Sequence, residues 1–361
     1  LLIIAVIMSG IISVGTIGGR VDLPQSALRE FTYNLFSGAG VDIDRLISVF
    51  DNSSVENRHI SVPLEWLKHD HTFTERNQIF LSEALLIGKK AIEECFKRTG
   101  ASYNDIDNIF FVTSTGLSTP TLDALLVNEL KLNRHIRRTP IWGLGCAGGA
   151  AALGKAWEYT TAFPEKNALV LAIELCSLTF QKDDLSKSNV VAAALFSDGA
   201  GAVLIAGNKS KFFKDSRVEI IDSMSTIYYE SLDVMGWEIV DSGFKVIFSR
   251  DIPSIVEKEV HPNILELLEK NKIDLKEIRY FIAHPGGVKV INAYEKSLNL
   301  DPGTLKYSRS VLRKHGNMSS PSVLFVLDEF LTANQHKANE YGLLSSLGPG
   351  FSSELVLFRT L

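Results

Sequence analysis

Cys146 stands in Trp142-Gly-Leu-Gly-Cys-Ala-Gly-Gly149, a cysteine among glycines between an apolar segment and the start of an apolar helical stretch. Glycines let the backbone turn sharply and present a side chain, and a helix amino terminus favours an anion, so the setting suits a thiolate nucleophile. The same pattern also fits a small buried thiol at a close helix–sheet contact. Partners distinguish the two. His284 follows an apolar run and enters Pro285-Gly286-Gly287, a turn that can aim a side chain into a pocket. Asn317, in Gly316-Asn-Met-Ser-Ser320 ahead of another apolar helical stretch, reads as a helix cap or as a third member of the set. Cysteine, histidine and asparagine together suit acyl transfer. The thiolate accepts an acyl group as a thioester, and the other two stabilise an oxyanion, or the enolate left when a malonyl thioester loses carbon dioxide. The surroundings of Cys146 match neither the papain nor the caspase signature. His315, beside Gly316, is a candidate supporting residue, whereas His69 and His71 lie in a charged loop without a third metal ligand.

The elements that must position these residues are written twice. Residues 84–100 have helical apolar spacing ending at Gly100, a short acidic stretch follows, and Ile109-Phe-Phe-Val-Thr113 reads as a buried strand. Roughly 170 residues later the same order recurs: a helix at 264–270, a loop at 274–278 and a strand at 280–283 that ends on His284. Gly145-Cys146 before the helix at 150–161 is matched by Gly316-Asn317 before the helix at 322–330. Strands at 168–173 and 200–205 follow in the first half, and at 341–344 and 354–358 in the second. An internally duplicated, layered α/β architecture is expected. A pseudo-twofold between the halves would bring Cys146, His284 and Asn317 to one interface.

Composition narrows the function. Hydrophobic residues are 45% and charged residues 22% of the 361, as in folded globular proteins, and a net charge of −5 supplies no general field for nucleic acid. Three widely spaced cysteines, Cys95, Cys146 and Cys176, suggest neither a disulfide framework nor a zinc site and point to a reducing, cytoplasmic setting. Residues 1–19 carry no charge and open on an eight-residue apolar run, which lacks the basic leader of an export signal and the length of a membrane span. A buried first strand at 11–16, preceded by extra residues, is the expectation.

Gly-Leu-Gly-Cys-Ala-Gly-Gly (143–149), His-Pro-Gly-Gly (284–287), Gly-Asn-Met-Ser-Ser (316–320) and Gly-Pro-Gly (348–350) resemble, in order and spacing, the motifs of chalcone synthase and its relatives, the type III polyketide synthases. The resemblance extends from residue 11 to the carboxyl terminus. It implies a thiolase-like fold of duplicated α/β halves in an αβαβα arrangement, residues 1–210 carrying the cysteine and 211–361 the histidine and asparagine. It also implies a homodimer and decarboxylative condensation of malonyl-CoA onto an acyl-CoA starter, with no metal or redox cofactor. Cys146 would carry the acyl group, with His284 and Asn317 as the decarboxylation and oxyanion pair. Thr115, Cys176, Thr179, Val218, Val246, Gly287 and Ser319 fall at substrate-binding positions.

Segments 114–120, 174–180 and 235–244 look more like bacterial members that make alkylpyrones or alkylresorcinols than like the plant enzyme, which implies a long-chain fatty acyl starter. The family's gatekeeping phenylalanine falls near Val218, so the gate is smaller or another aromatic supplies it. The basic residues that grip CoA phosphates in plant members are replaced around Ser48 and Asn52, leaving Arg45, Arg58 or Lys289 as candidates. Two alternatives share the fold: a ketoacyl-carrier-protein synthase and a non-catalytic acyl-binding scaffold.

Overall fold

A computed structural model of the protein describes residues 8–38, 42–249 and 251–361; the amino-terminal apolar run lies, except for Met8, outside them. The strands are β1 (Ser9–Gly18), β2 (Val21–Pro24), β3 (Asn57–Ile60), β4 (Asn108–Thr113), β5 (Arg137–Trp142), β6 (Asn167–Leu175) and β7 (Asp198–Gly207). Then come β8 (Val218–Ile227), β9 (Met235–Val240), β10 (Gly243–Phe248), β11 (Ile278–Ala283), β12 (Tyr341–Gly348) and β13 (Ser352–Thr360). The helices are α1 (Gln25–Phe36), α2 (Ile43–Asp51), α3 (Phe73–Lys97), α4 (Leu122–Leu130), α5 (Gly148–Ala162) and α6 (Lys187–Leu195). After them come α7 (Ile252–Ile255), α8 (His261–Lys270), α9 (Val288–Ser297), α10 (Lys306–His315) and α11 (Ser322–Ala333).

Nine strands form one mixed sheet in the order β11-β12-β13-β8-β1-β7-β6-β4-β5. Outward from the antiparallel β1/β8 pair, both halves repeat one pattern. β7 and β13 are antiparallel to the central strands, β6 and β12 antiparallel to those, and β4 and β11 parallel to β6 and β12. This is the duplication in three dimensions, and it supplies the strand directions that apolar periodicity could not. The 210/211 boundary expected between the halves lies in the segment joining β7 to β8.

Two central helices take material from both halves. α5 packs on β4 and β6 and also on β12 and β13, while α11 packs on β1 and β7 and also on β11. The helices differ in composition for a packing reason. α5 is rich in glycine and alanine where neighbours come close: a Cβ on Gly149 would sit 2.3 Å from Ser320 O. α11 supplies bulk, with Val323, Leu324, Phe325, Val326 and Leu327 all buried. Complete burial of such a side chain is worth about 1.5–3 kcal/mol. On the outer face, α3 covers β1, β6 and β7. It starts well before the expected residue 84, because Thr72 and Glu75 close a capping box ahead of Phe73. The β2/β3 pair and the β9/β10 hairpin escaped the sequence reading. Among the described residues no helix is long and apolar enough to cross a membrane.

Candidate active site

β5 runs into the turn Gly145–Ala147, which opens directly into α5. Gly145 has φ +48°, and a Cβ there would lie 2.8 Å from Pro349 Cδ, so dihedral and space both demand glycine. Its N–H donates to Ser114 Oγ at 2.9 Å, pinning the turn that carries Cys146. Cys146 is buried, with Sγ 3.5 Å from Ser319 Oγ. Burial, reinforced by the nearby Glu174 carboxyl, pushes the thiol up to about 11 against the pull of the Ser319 hydroxyl and the Asn317 amide. Burial thus opposes the thiolate that the helix terminus favours. Desolvation outweighs a dipole worth at most about 2 kcal/mol, so forming the nucleophile requires proton transfer to a base.

His284 follows the last residue of β11, and its N–H donates to Ser345 O at 2.8 Å, extending the β11/β12 ladder. The imidazole is buried, neither ring nitrogen has a partner among the described residues, and burial pushes it down to about 3. It is thus neutral, with one donor and one acceptor nitrogen unclaimed by those residues.

The amide orientation of Asn317 follows from its partners. Oδ1 accepts from Ser319 N–H at 2.8 Å, which leaves Nδ2 as the donor, 3.3 Å from Gly286 O. Its backbone N–H donates to Leu195 O and its C=O accepts from Ser197 N–H, both at 2.8 Å, so this residue ties the carboxyl-terminal half to the segment before β7.

Cys146, His284 and Asn317 line one cavity of about 340 Å³, whose apolar walls include Phe248, Ile252 and Leu347. A second cavity of about 500 Å³ is walled by Leu28, Phe31, Ile60, Leu67, Phe180 and Val246, with Cys176 and Thr179 on its lining. Phe196 lines this second cavity and bridges the backbone of Asn317; its ring meets Phe248 edge to face, centroids 6.4 Å apart. The Phe196–Phe248 pair thus links the linings of the two cavities.

Four expected residues lie elsewhere than anticipated. Val218 starts β8, wholly buried against β1 and β13, and lines neither cavity; the aromatics that line the cavity of the cysteine are Phe248 and Tyr294. Thr115 lies in a buried network, its Oγ1 donating to Glu174 Oε2 and accepting from Leu175 N–H, and lines neither cavity. Gly287 forms the amino-terminal cap of α9, next to Gly286, which does line the cavity of Cys146. Arg58 cannot reach a CoA phosphate. It is 1% exposed and donates to the carbonyls of Ala193, Ala194 and Phe196 and to Gln25 Oε1. Arg45 and Lys289 are exposed. Ser319, at φ +57°, is the polar neighbour of the thiol.

The reading from residues overlooked Glu174 as well as the two phenylalanines. It accepts from Ser114 N–H, Thr115 Oγ1 and Ser320 Oγ at 2.8–2.9 Å, and burial raises its carboxyl to about 7. A lone acid inside the apolar strand Ala-Leu-Val-Leu-Ala-Ile-Glu-Leu was the available signal.

Comparison with known proteins now bears on this geometry. The family profile of the amino-terminal domain of chalcone and stilbene synthases matches residues 40–209, and that of the carboxyl-terminal domain matches residues 219–361. The chain belongs to the chalcone and stilbene synthase family. It is 46% identical to a provisionally named chalcone synthase of Bacillus subtilis (strain 168), over 97% of this chain and 98% of that one. It is 34% identical to a 1,3,6,8-tetrahydroxynaphthalene synthase of Streptomyces peucetius subsp. caesius, over 93% and 89%. The crystal structure of the Streptomyces coelicolor A3(2) tetrahydroxynaphthalene synthase superposes with a TM-score of 0.91 at 26% identity, covering 97% of this chain and 99% of that one. The fold is the thiolase-like one, and the protein is a type III polyketide synthase, an acyltransferase that performs decarboxylating Claisen condensation with malonyl-CoA. Its substrates are CoA thioesters, and the family's chemistry requires no additional cofactor.

Proposed function

We propose that the enzyme loads a long-chain fatty acyl group from its CoA thioester onto Cys146 and extends it with malonyl-CoA to alkylpyrone or alkylresorcinol products. The observation that carries the choice of starter is the second cavity. Its walls are mainly aliphatic and aromatic, as an alkyl chain requires, and Phe196 on its lining bridges the backbone of Asn317.

In this reading Cys146 gives its proton to the neutral His284 imidazole and attacks the thioester carbonyl; the tetrahedral intermediate collapses with release of CoA. Malonyl-CoA then loses its carboxylate as carbon dioxide. The enolate oxygen that forms is held by an imidazole N–H of His284 and by Asn317 Nδ2, donors on buried side chains, where such bonds are stronger than in water. The enolate carbon attacks the acyl-Cys146 carbonyl and the thiolate leaves. The reading includes a homodimer, for which exposed Leu117 and Trp142 supply apolar surface.

A second reading has malonyl-CoA as its own starter. Two Streptomyces relatives named for aromatic products, a 1,3,6,8-tetrahydroxynaphthalene synthase at 34% identity and a 3,5-dihydroxyphenylacetyl-CoA synthase at 32%, favour it. Mass spectrometry of products from malonyl-CoA, alone and with a ladder of fatty and aromatic acyl-CoA starters, separates the two. Pyrones or resorcinols formed only with long-chain starters support the first, and aromatic products from malonyl-CoA alone overturn it.

A further inference from the structure

Two residues before Asn317, and outside the lining of its cavity, His315 meets His59, a pair that the condensation chemistry does not use. His315 ends α10, and His59 lies on β3. His59 Nε2 and His315 Nδ1 are 2.9 Å apart, and the rings lie nearly parallel with centroids 5.2 Å apart. Asp22 sits directly opposite His59 in the β2/β3 ladder, its Oδ1 3.8 Å from His59 Nδ1. The fold makes room for this contact: a Cβ on Gly18 would fall 2.5 Å from the His59 ring.

The pair is coupled to the catalytic loop on both sides. His315 is followed by Gly316, at φ +68°, and then by Asn317. The His59 backbone N–H donates to Ser197 Oγ, the Ser197 hydroxyl donates back to His59 O, and Ser197 N–H donates to Asn317 O. Two routes thus lead from His59 to Asn317, one through the imidazole pair and one through Ser197. We propose that the His59–His315 hydrogen bond is a latch that positions Asn317 for malonyl decarboxylation, and that protonating both rings opens it. Both histidines are positioning residues in this account, which rests on the role given to Asn317 above.

The proton count explains why the latch is pH-sensitive. A ring-to-ring hydrogen bond needs one donor nitrogen and one acceptor nitrogen. With both rings neutral, His59 keeps its proton on Nδ1 toward Asp22 and accepts at Nε2 from His315 Nδ1–H. One further proton can be shared. A second leaves two donors and two positive charges face to face 2.9 Å apart, and the bond cannot persist. The charged groups facing the pair are Asp22 from β2, which favours protonation, and Lys314 from α10, which opposes it. α11 presents the uncharged Phe325 ring, centroids 5.1 Å from His315, and β1 presents Gly18. Burial pushes both histidines down, His315 to about 4, so the latch is closed at neutral pH and opens in acid.

The test measures two steps separately over about pH 3 to 8, a range that reaches below the His315 value of about 4: acyl transfer from starter acyl-CoA to Cys146, and carbon dioxide release from malonyl-CoA. His315→Leu breaks the bond, His315→Asn keeps a partner for His59 without titrating, and Asn317→Ala is the control. Loss of one buried hydrogen bond corresponds to about a tenfold change. The expected result is decarboxylation about tenfold slower in His315→Leu with loading within about twofold of wild type. In His315→Asn the rate recovers and the fall of wild-type decarboxylation toward acid is blunted. Equal loss of both steps in His315→Leu, or an acid limb in His315→Asn identical to that of wild type, overturns the latch while leaving the Asn317 assignment standing. Full decarboxylation in Asn317→Ala overturns both.

Discussion

The buried Glu174 carboxyl gives a prediction whose size can be worked out. In the folded chain its carboxyl titrates near 7, against an ordinary value of 4.5, because burial disfavours the charge more than its hydrogen bonds to Ser114, Thr115 and Ser320 restore it. A raised acid means that, between those two values, the folded chain holds a proton the unfolded chain has released. Stability therefore falls as pH rises through that window, and the full penalty is in place above about pH 7. At about 1.4 kcal/mol for each pH unit the gap amounts to about 3 kcal/mol. Glu174→Gln removes the titration and can keep the geometry: the amide oxygen takes the donors around Oε2, Thr113 Oγ1, Ser114 N–H and Thr115 Oγ1, and the amide N–H₂ donates to Ser320 Oγ. Urea unfolding at about pH 4.5 and about pH 8 should show the variant gaining about 3 kcal/mol on wild type between the two conditions. Because the Glu174 charge also raises the Cys146 thiol, alkylation by iodoacetamide should begin at lower pH in the variant. Parallel stability profiles for the two proteins would refute the reasoning, since the carboxyl would then not titrate in that window.

Other substitutions test other parts of the site. Gly145→Ala forces a left-handed alanine against Pro349, costing at least about 1–2 kcal/mol; a lower unfolding midpoint and lost acyl loading are expected, measured by denaturation and intact mass. Phe196→Ala should join the two cavities and change the starter chain length accepted, read by competition among acyl-CoA thioesters. Val218→Phe should instead overpack the β1/β8 seam and cost about 1–3 kcal/mol without altering starter preference; altered preference would show that Val218 does reach the substrate. Light scattering should give twice the chain mass for wild type, and Trp142→Glu should shift it toward the monomer; a monomeric wild type would remove the homodimer from the account.

The candidate trio that the structure brings to one cavity was legible in the chain because each member combines a reactive type with a local signal that survives folding: glycines around Cys146, and turns after a strand at His284 and after a helix at Asn317. The duplicated helix–strand order was legible for a similar reason, since apolar periodicity is local. The aromatic link between the two cavities was not. Phe196 follows α6 and reads as one more apolar residue, and it joins the two linings because its backbone bridges Asn317 and its ring meets Phe248 from the β9/β10 hairpin. Aligning by position alone put the gate at Val218, which pairs in the sheet instead. Arg58 was misread for a comparable reason. Charge alone suggested a phosphate contact, whereas the fold spends its guanidinium on carbonyls at the carboxyl end of α6. The thiolate expected from the helix terminus met a competing effect, burial, that no local pattern expresses.

The most direct test of the central claim is peptide mapping by mass spectrometry after brief exposure to a long-chain acyl-CoA without malonyl-CoA. The account predicts a single acyl thioester on Cys146, none on the equally buried Cys95 or Cys176, and none anywhere in a folded Cys146→Ala variant. Acyl label on another residue, or undiminished labelling in that variant, would contradict it.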